Sequence, residues 1–256
     1  VMRFCYEDCM NRQDCCQIVR GEKIKMWDGK KRAVTFSYDD GVEQDRHLVD
    51  LFNTYGMKAT FNLNSGIQTR AFSFVEGKSG IVVRRMNQQG LRELYRGHEI
   101  ASHGLTHANP LECDEETLFN EVLADKRNLE QLFEQEVVGY AYPYGCYHDL
   151  AVKVLSDCGI RYARTVESVA EFGLQKDLLR FKPCYHHNDD RIFEGIEQFL
   201  SLETKEPALL YIWGHSYEFE ADQNWDRMEK ILKQLAGRSD IFYGSNAQVL
   251  LHENAE

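Results

Sequence analysis

Asp39 and Asp40 stand side by side in Ser37-Tyr38-Asp39-Asp40-Gly41. Adjacent side chains on an extended segment point to opposite faces. Two neighbouring carboxylates can therefore divide the work, one holding a metal and the other handling a proton. Taken alone, Asp-Asp-Gly is also an ordinary way to end a strand. His103 and His107 lie four apart in Ser102-His103-Gly104-Leu105-Thr106-His107. One helical turn puts both imidazoles on one face, where they can meet one cation. With a carboxylate they form a two-His, one-carboxylate set that leaves positions open for water and substrate. A lone His-x3-His is equally what two polar histidines at a helix start look like.

Two further stretches carry chemistry of their own. In Tyr142-Pro143-Tyr144-Gly145, proline and glycine set a tight loop whose backbone N–H groups can hold an oxyanion. Leu209-Leu210-Tyr211-Ile212-Trp213-Gly214-His215 reads as a buried strand that delivers a histidine to its C-terminal end.

The elements that must position these residues alternate from about residue 32. Strand-like segments are Arg32–Tyr38, Lys58–Asn64, His98–His103, Val137–Tyr142, Ile160–Thr165, Leu178–Pro183, Ala208–Gly214 and Asp240–Ser245. Each is short, apolar or β-branched, and bounded by Gly, Asp, Asn or Pro. Between them run amphipathic helices. In Glu115–Phe133 the residues Leu118, Val122, Leu129, Leu132 and Phe133 mark one face, with Asp114 as N-cap. Val152, Leu155 and Cys158 pattern a shorter helix ending at Gly159. Met228, Ile231, Leu232 and Leu235 pattern another ending at Gly237. Repeated strand–helix units predict a parallel sheet covered by helices, and six to eight of them close most naturally as an α/β barrel. An open doubly wound sheet is the alternative, weakened by the lack of G-x-G-x-x-G after the first strand. Residues 65–87 read as an insertion, and residues 1–30 as an N-terminal extension of mixed, charged surface character. All four chemical motifs then fall at C-terminal strand ends, the edge where parallel α/β folds place their active sites.

In that order and placement, the motifs resemble those of the polysaccharide deacetylases of the NodB-homology group, carbohydrate esterase family 4. The family's motifs run Thr-Phe-Asp-Asp-Gly, His-(Ser/Thr)-x-x-His, Arg-x-Pro-Tyr, Asp-x-x-Asp-Trp and Leu-x-His. The resemblance spans roughly residues 32–250 and makes residues 31–256 a NodB-like deacetylase domain. It implies a distorted (β/α)7 barrel. It also implies that Asp40, His103 and His107 bind a divalent metal, expected to be zinc. Asp39 would be the general base and His215 the general acid, with the Tyr144 backbone N–H on the oxyanion. The implied reaction is metal-dependent hydrolysis of acetyl groups from an N-acetylated carbohydrate. The bound metal polarises the acetyl carbonyl and acidifies water, and an amide leaves only once its nitrogen is protonated. Alternatives are an O-acetyl esterase acting on a glycan, or a non-catalytic carbohydrate-binding relative.

The match has two gaps. Where the family carries the motif arginine that pairs with the base, this chain has Ala141, and no Asp-x-x-Asp-Trp follows. In its place stands Phe181-Lys182-Pro183-Cys184-Tyr185-His186-His187-Asn188-Asp189. Arg164 is the candidate replacement, placed to orient Asp39 from a neighbouring strand. His186 and His187 are candidates for a second proton-handling or sugar-binding group. Trp213 and Tyr217, with Phe219 and Trp225, are candidates for an apolar wall beside the acetyl group or sugar ring; core packing would use them equally well.

Composition bounds the partners. Thirty basic and 41 acidic residues give a net charge of −11 over 256 residues. Long-range repulsion then opposes nucleic acid and anionic membranes as partners. The same field favours a neutral acetylated sugar or oligosaccharide as substrate over a strongly anionic glycan. No apolar run approaches the roughly 20 residues of a transmembrane helix. The first residues, VMRFCYEDCM, lack an apolar signal-peptide core, which leads to an expectation of a cytoplasmic location. Four of the eight cysteines, Cys5, Cys9, Cys15 and Cys16, cluster without the paired short spacings of a zinc site and read as reduced thiols.

Overall fold

The computed structural model describes residues 26–75 and 77–251. In chain order its first half holds β1 (Arg32–Asp39), α1 (Asp45–Thr54), β2 (Thr60–Leu63), β3 (Ala71–Phe74), β4 (Ile81–Arg84), α2 (Leu91–Leu94), β5 (Glu99–Ser102) and α3 (Glu115–Phe133). The second half holds β6 (Gly139–Ala141), α4 (Asp149–Asp157), β7 (Tyr162–Arg164), β8 (Tyr185–His186), α5 (Ile192–Ser201), β9 (Ala208–Gly214), α6 (Ser216–Ala221), α7 (Trp225–Leu235), β10 (Ile241–Tyr243) and α8 (Asn246–Leu250).

All pairings of the main sheet are parallel, in the order β7-β6-β5-β2-β1-β9-β8. β1 is its spine. It pairs with β9 from Arg32↔Ala208 to Tyr38↔Gly214. On its other side the first half pairs with β10 and the last three residues with β2. The stretch leading into β8 closes the ring. Phe181 bridges Arg164 on β7, and four residues on Tyr185 pairs with Ile212 on β9. The result is a distorted (β/α)7-type barrel, the closed alternative rather than the open sheet. β1 is buried from Ala33 onward and β9 throughout, as near-continuous apolar strands covered on both faces must be.

The helices form where the apolar spacing placed them. The Asp114 carboxylate caps α3 by accepting from the Thr117 N–H at 2.8 Å. Leu118, Val122, Leu129 and Phe133 face inward. Gly159 and Gly237 follow α4 and α7 with positive φ, the conformation that ends a helix at little cost for glycine.

Two sequence expectations need revision, and a third gains detail. Leu178–Pro183 is not a strand. Leu178–Arg180 forms one 3-10 turn, only Phe181 bridges β7, and the paired strand comes later at Tyr185–His186. Pro183 has no N–H to donate to a ladder there. Residues 65–87 do depart from the strand–helix rhythm, but as an antiparallel hairpin of β3 and β4. Trp27 lies in the segment read as a surface extension, yet it is fully buried and its Nε1 donates to the Val249 carbonyl at 3.1 Å. The four N-terminal cysteines lie outside the described residues; Cys113, Cys146, Cys158 and Cys184 are free thiols. No helix among the described residues is long and apolar enough to cross a membrane.

Candidate active site

The C-terminal ends of the barrel strands meet at one cavity of about 650 Å³. Asp39 ends β1, and Asp40 follows it in a left-handed turn with φ 81°. The pleat and this turn send the neighbouring carboxylates into different surroundings. Asp39 Oδ2 receives the Arg164 guanidinium in a close ion pair, and Oδ1 accepts from Asn62 Nδ2 at 2.8 Å. Burial alone would raise the Asp39 pKa, but Arg164, His103 and His215 hold it down to about 2. Arg164 itself is 1% exposed and lies over the Trp213 ring at 4.4 Å. It is the direct register partner of Ala141 across β6 and β7. The cation missing at position 141 thus reaches the carboxylate from the same level of the next strand.

Asp40, His103 and His107 present one ligand atom each, all within 4.8 Å of one another. The His103 Nδ1–H donates to the Ala141 carbonyl at 2.8 Å, which leaves the Nε2 lone pair for a cation. Burial lowers the pKa of both histidines, that of His107 to about 3, so both are neutral at working pH. Burial pushes the Asp40 pKa up, but His215 and Arg85 outweigh it and the carboxyl stays ionised. One anionic oxygen and two neutral imidazoles are what a divalent cation requires of its donors, so these residues fit a metal. Arg85 was not anticipated. It comes from the end of the hairpin insertion, and its Nη2 lies 2.6 Å from Asp40 Oδ1.

His215 follows β9 and points its Nε2 to 3.8 Å from Asp39 Oδ2. Its Nδ1 lies 3.2 Å from Glu218 Oε1 on the first turn of α6. Burial lowers the His215 pKa, but Glu218 above all, then Asp39 and Asp40, reverse this and push it up to about 9. Glu218 is a second site residue that sequence reasoning missed. Its one local signal is the three-residue spacing from His215 at a helix start. His186 and His187 do not line the cavity. They sit behind Glu218, with His186 Nε2 at 3.1 Å and His187 Nε2 at 3.0 Å from Oε2. The His187 approach lacks hydrogen-bond geometry, and its buried ring stacks on Phe219 at 4.0 Å. Gly214 makes room for that ring, since a Cβ there would lie 2.0 Å from His187 Nδ1.

Trp213 and Tyr217 line the cavity, whereas Phe219 and Trp225 pack against each other away from it. Tyr144 is 64% exposed on its rim, edge-on to His107 at 4.5 Å. Asp40, His107 and Tyr144 all have left-handed backbones, at about 1–3 kcal/mol of strain each. Such strain collects where function over-determines the structure.

A curled parallel barrel with a carboxylate pair and a His-x3-His at its C-terminal edge defines a deacetylase fold of carbohydrate esterase family 4. A family profile described as polysaccharide deacetylase matches residues 27–163, more than half of the chain, and the chain belongs to that family. Among solved structures, a putative polysaccharide deacetylase from Mycobacterium smegmatis is 17% identical, with 89% of this chain and 92% of that one covered and a TM-score of 0.62. The Xyl-CE4 domain of a multidomain xylanase from the hindgut metagenome of Trinervitermes trinervoides is 14% identical, with 89% and 93% covered and a TM-score of 0.58. The chain spans only 55% of the Streptococcus pyogenes deacetylase PplD, crystallised in complex with acetate; that match is 18% identical over 52% of this chain with a TM-score of 0.44. At these identities the likeness is one of fold. No curated protein matches the chain. Arg164, His215 and Glu218 all lie beyond the span matched by the family profile.

Proposed function

We propose that the protein is a metal-dependent deacetylase that hydrolyses the acetamide of an N-acetylated carbohydrate. The observation that carries this reading is the grouping of Asp40, His103 and His107, with Asp39 Oδ2 lying 3.9 Å from His103 Nε2 and 3.8 Å from His215 Nε2. A divalent cation held by the triad supplies Lewis-acid polarisation of the acetyl carbonyl and acidification of water. Asp39, ionised and fixed by Arg164 and Asn62, takes the proton from the attacking water. The Tyr144 backbone N–H is the donor assigned to the oxyanion. His215, charged at neutral pH, gives the Nε2 proton to the departing nitrogen as the C–N bond breaks, releasing acetate and a free amine. A pre-charged acid suits an amide, whose nitrogen leaves poorly without a proton, better than an ester. Trp213 and Tyr217 offer apolar faces to the acetyl group or sugar ring.

Acetate release from an N-acetylglucosamine oligomer tests the reading. A chelator is expected to abolish release and added divalent metal to restore it. Asp39→Asn is expected to lower kcat/KM by about 10²–10⁴-fold, the usual worth of a general base. Cation binding measured by calorimetry is expected to survive that change. Loss of the cation instead would show that the two aspartates have exchanged roles. Metal-independent release would sink the reading.

A further inference from the structure

The hairpin insertion differs in charge from the chain that carries it. Residues 65–87 hold Arg70, Lys78, Arg84 and Arg85 against the single acid Glu76, a net of +3 within a chain of −11. Arg70 and Arg85 both line the cavity. They are neighbours across the hairpin base, where the Arg85 N–H donates to the Arg70 carbonyl at 2.9 Å. The wall is anchored. Phe72 and Phe74 meet the Tyr217 ring at 5.5 and 4.9 Å, Arg85 lies over Phe72 at 5.0 Å, and the Ser79 N–H donates to the Ala221 carbonyl at 2.9 Å.

The carboxylates lining the cavity already have cationic partners: Arg164 on Asp39 and Arg85 on Asp40. Arg70 is exposed and makes no ion pair among the described residues. The Arg85 Nε–H, although buried, has no acceptor among them either. Among the described residues Arg70 therefore gives the rim a positive charge without an ion-pair partner at short range. The chain's acidic surplus acts over longer distances, where salt screens it beyond about 8–10 Å.

We propose that this hairpin is an anion-recognising wall, and that the substrate is an N-acetylated sugar bearing an oxyanion, carboxylate or phosphate, next to the acetamido group. Arg70 takes the oxyanion, and Arg85, paired with Asp40, holds the base of the wall beside it. A planar guanidinium suits either group, since both present paired oxygens to its fork. The inference rests on the deacetylase reading for the acetamide, but the subsite can be tested separately.

The metal-loaded full chain is assayed with N,N′-diacetylchitobiose as the neutral probe, an N-acetylmuramic acid disaccharide as the carboxylate probe and N-acetylglucosamine 1-phosphate as the phosphate probe. Both acetate release and binding by calorimetry are read, at low and high salt. At least one anionic probe is expected to exceed the neutral one by about tenfold, the size of one charge-assisted hydrogen bond, and to lose that margin in high salt. Arg70→Ala is expected to bring the ratio of anionic to neutral kcat/KM to within about twofold of unity. Arg70→Lys is expected to keep part of the preference. Equal wild-type values, or an equal loss on all probes in Arg70→Ala, overturn the subsite. Preferential binding without acetate release leaves the subsite standing and overturns the deacetylase reading. Acetate release without preference does the reverse. The two anionic arms decide between carboxylate and phosphate.

Discussion

The two ends of the barrel are both built from buried polar side chains, yet they are finished differently. At the N-terminal end Thr35 Oγ1 donates to Asn246 Oδ1 at 2.9 Å, and Asn246 Nδ2 donates to the Tyr211 hydroxyl at 2.7 Å. Thr60 Oγ1 accepts from the Asn246 N–H at 2.9 Å and donates to Glu99 Oε2 at 2.7 Å. Tyr162 completes the set on Glu99 Oε1 at 2.9 Å. None of these side-chain atoms is left without a partner, and the neighbouring His98 Nε2 is an exception at that end. At the C-terminal end Asn62 Oδ1, Arg164 Nε and Arg85 Nε are unpartnered. That end also holds the left-handed Asp40, His107 and Tyr144. A closed polar network specifies one packing, and an open one leaves valences for something that arrives later. The difference separates holding the barrel together from doing chemistry on it.

Removing Arg164 is the strongest way to break this contrast, because it is a buried ion paired with Asp39, the base of the proposed reaction. Arg164→Ala leaves Asp39 buried without its cation and is expected to cost about 3–5 kcal/mol of stability in chemical denaturation. Turnover is expected to fall by roughly 10²-fold as the base loses its orientation. Arg164→Lys keeps the charge and is expected to recover stability more fully than rate, since an ammonium lacks the guanidinium fork. Unchanged turnover in Arg164→Ala would end the claim that Arg164 stands in for the missing arginine.

Glu218 sharpens the contrast at smaller cost. The His215 pKa lies at about 9, so the proposed acid is charged below that pH and lost above it. The kcat/KM for an N-acetylated substrate is therefore expected to hold through neutrality and decline above about pH 9. Glu218→Gln removes the largest cause of the upward shift, and the decline is expected to move toward the ordinary histidine range near 6.5. At pH 8 the variant should be roughly tenfold slower, with a much smaller deficit at pH 6. A limb that stays near 9 while the whole profile drops would mean that Glu218 only braces α6.

The two ends also differ in how much the sequence discloses. Asp39, Asp40, His103, His107, Tyr144 and His215 are legible because each ends a strand or follows one within five residues, and strand ends follow from apolar runs and their punctuation. Arg164 was reachable for the same reason. It stands level with Ala141 on an adjacent strand, and neighbouring strands of a parallel sheet tend to be neighbours in the chain. Arg85 was not reachable. Its place depends on how the hairpin docks through Phe72 and Phe74 on Tyr217, contacts about 145 residues apart that leave no periodic trace. The misplaced strand at Leu178–Pro183 has the same origin, since the ring closes there through a single bridge at Phe181. At the N-terminal end Glu99 and Asn246 gave no signal at all. A polar residue at a strand start or helix start is common, and only tertiary structure shows which ones face inward.

That silent end supplies the finest test. Glu99 accepts at both oxygens, from the Thr60 and Tyr162 hydroxyls and the Ala247 N–H. Glu99→Gln must turn an NH2 toward one of these donors, a mismatch of about 1–3 kcal/mol. The sign with pH is fixed by burial, which raises the Glu99 pKa despite its donors. A raised carboxyl pKa means that the folded state holds its proton longer, so the wild type loses stability as pH rises through that range. Glutamine cannot ionise and does not share the loss. The stability deficit of Glu99→Gln is therefore expected to be largest near pH 4–5 and to narrow toward neutrality. Turnover should stay within about twofold throughout, because a closed network passes little of its strain to the site roughly one strand length away. A drop of tenfold or more in kcat/KM at unchanged stability would mean that the closed end is part of the catalytic machinery, and the division between the two ends would have to be given up.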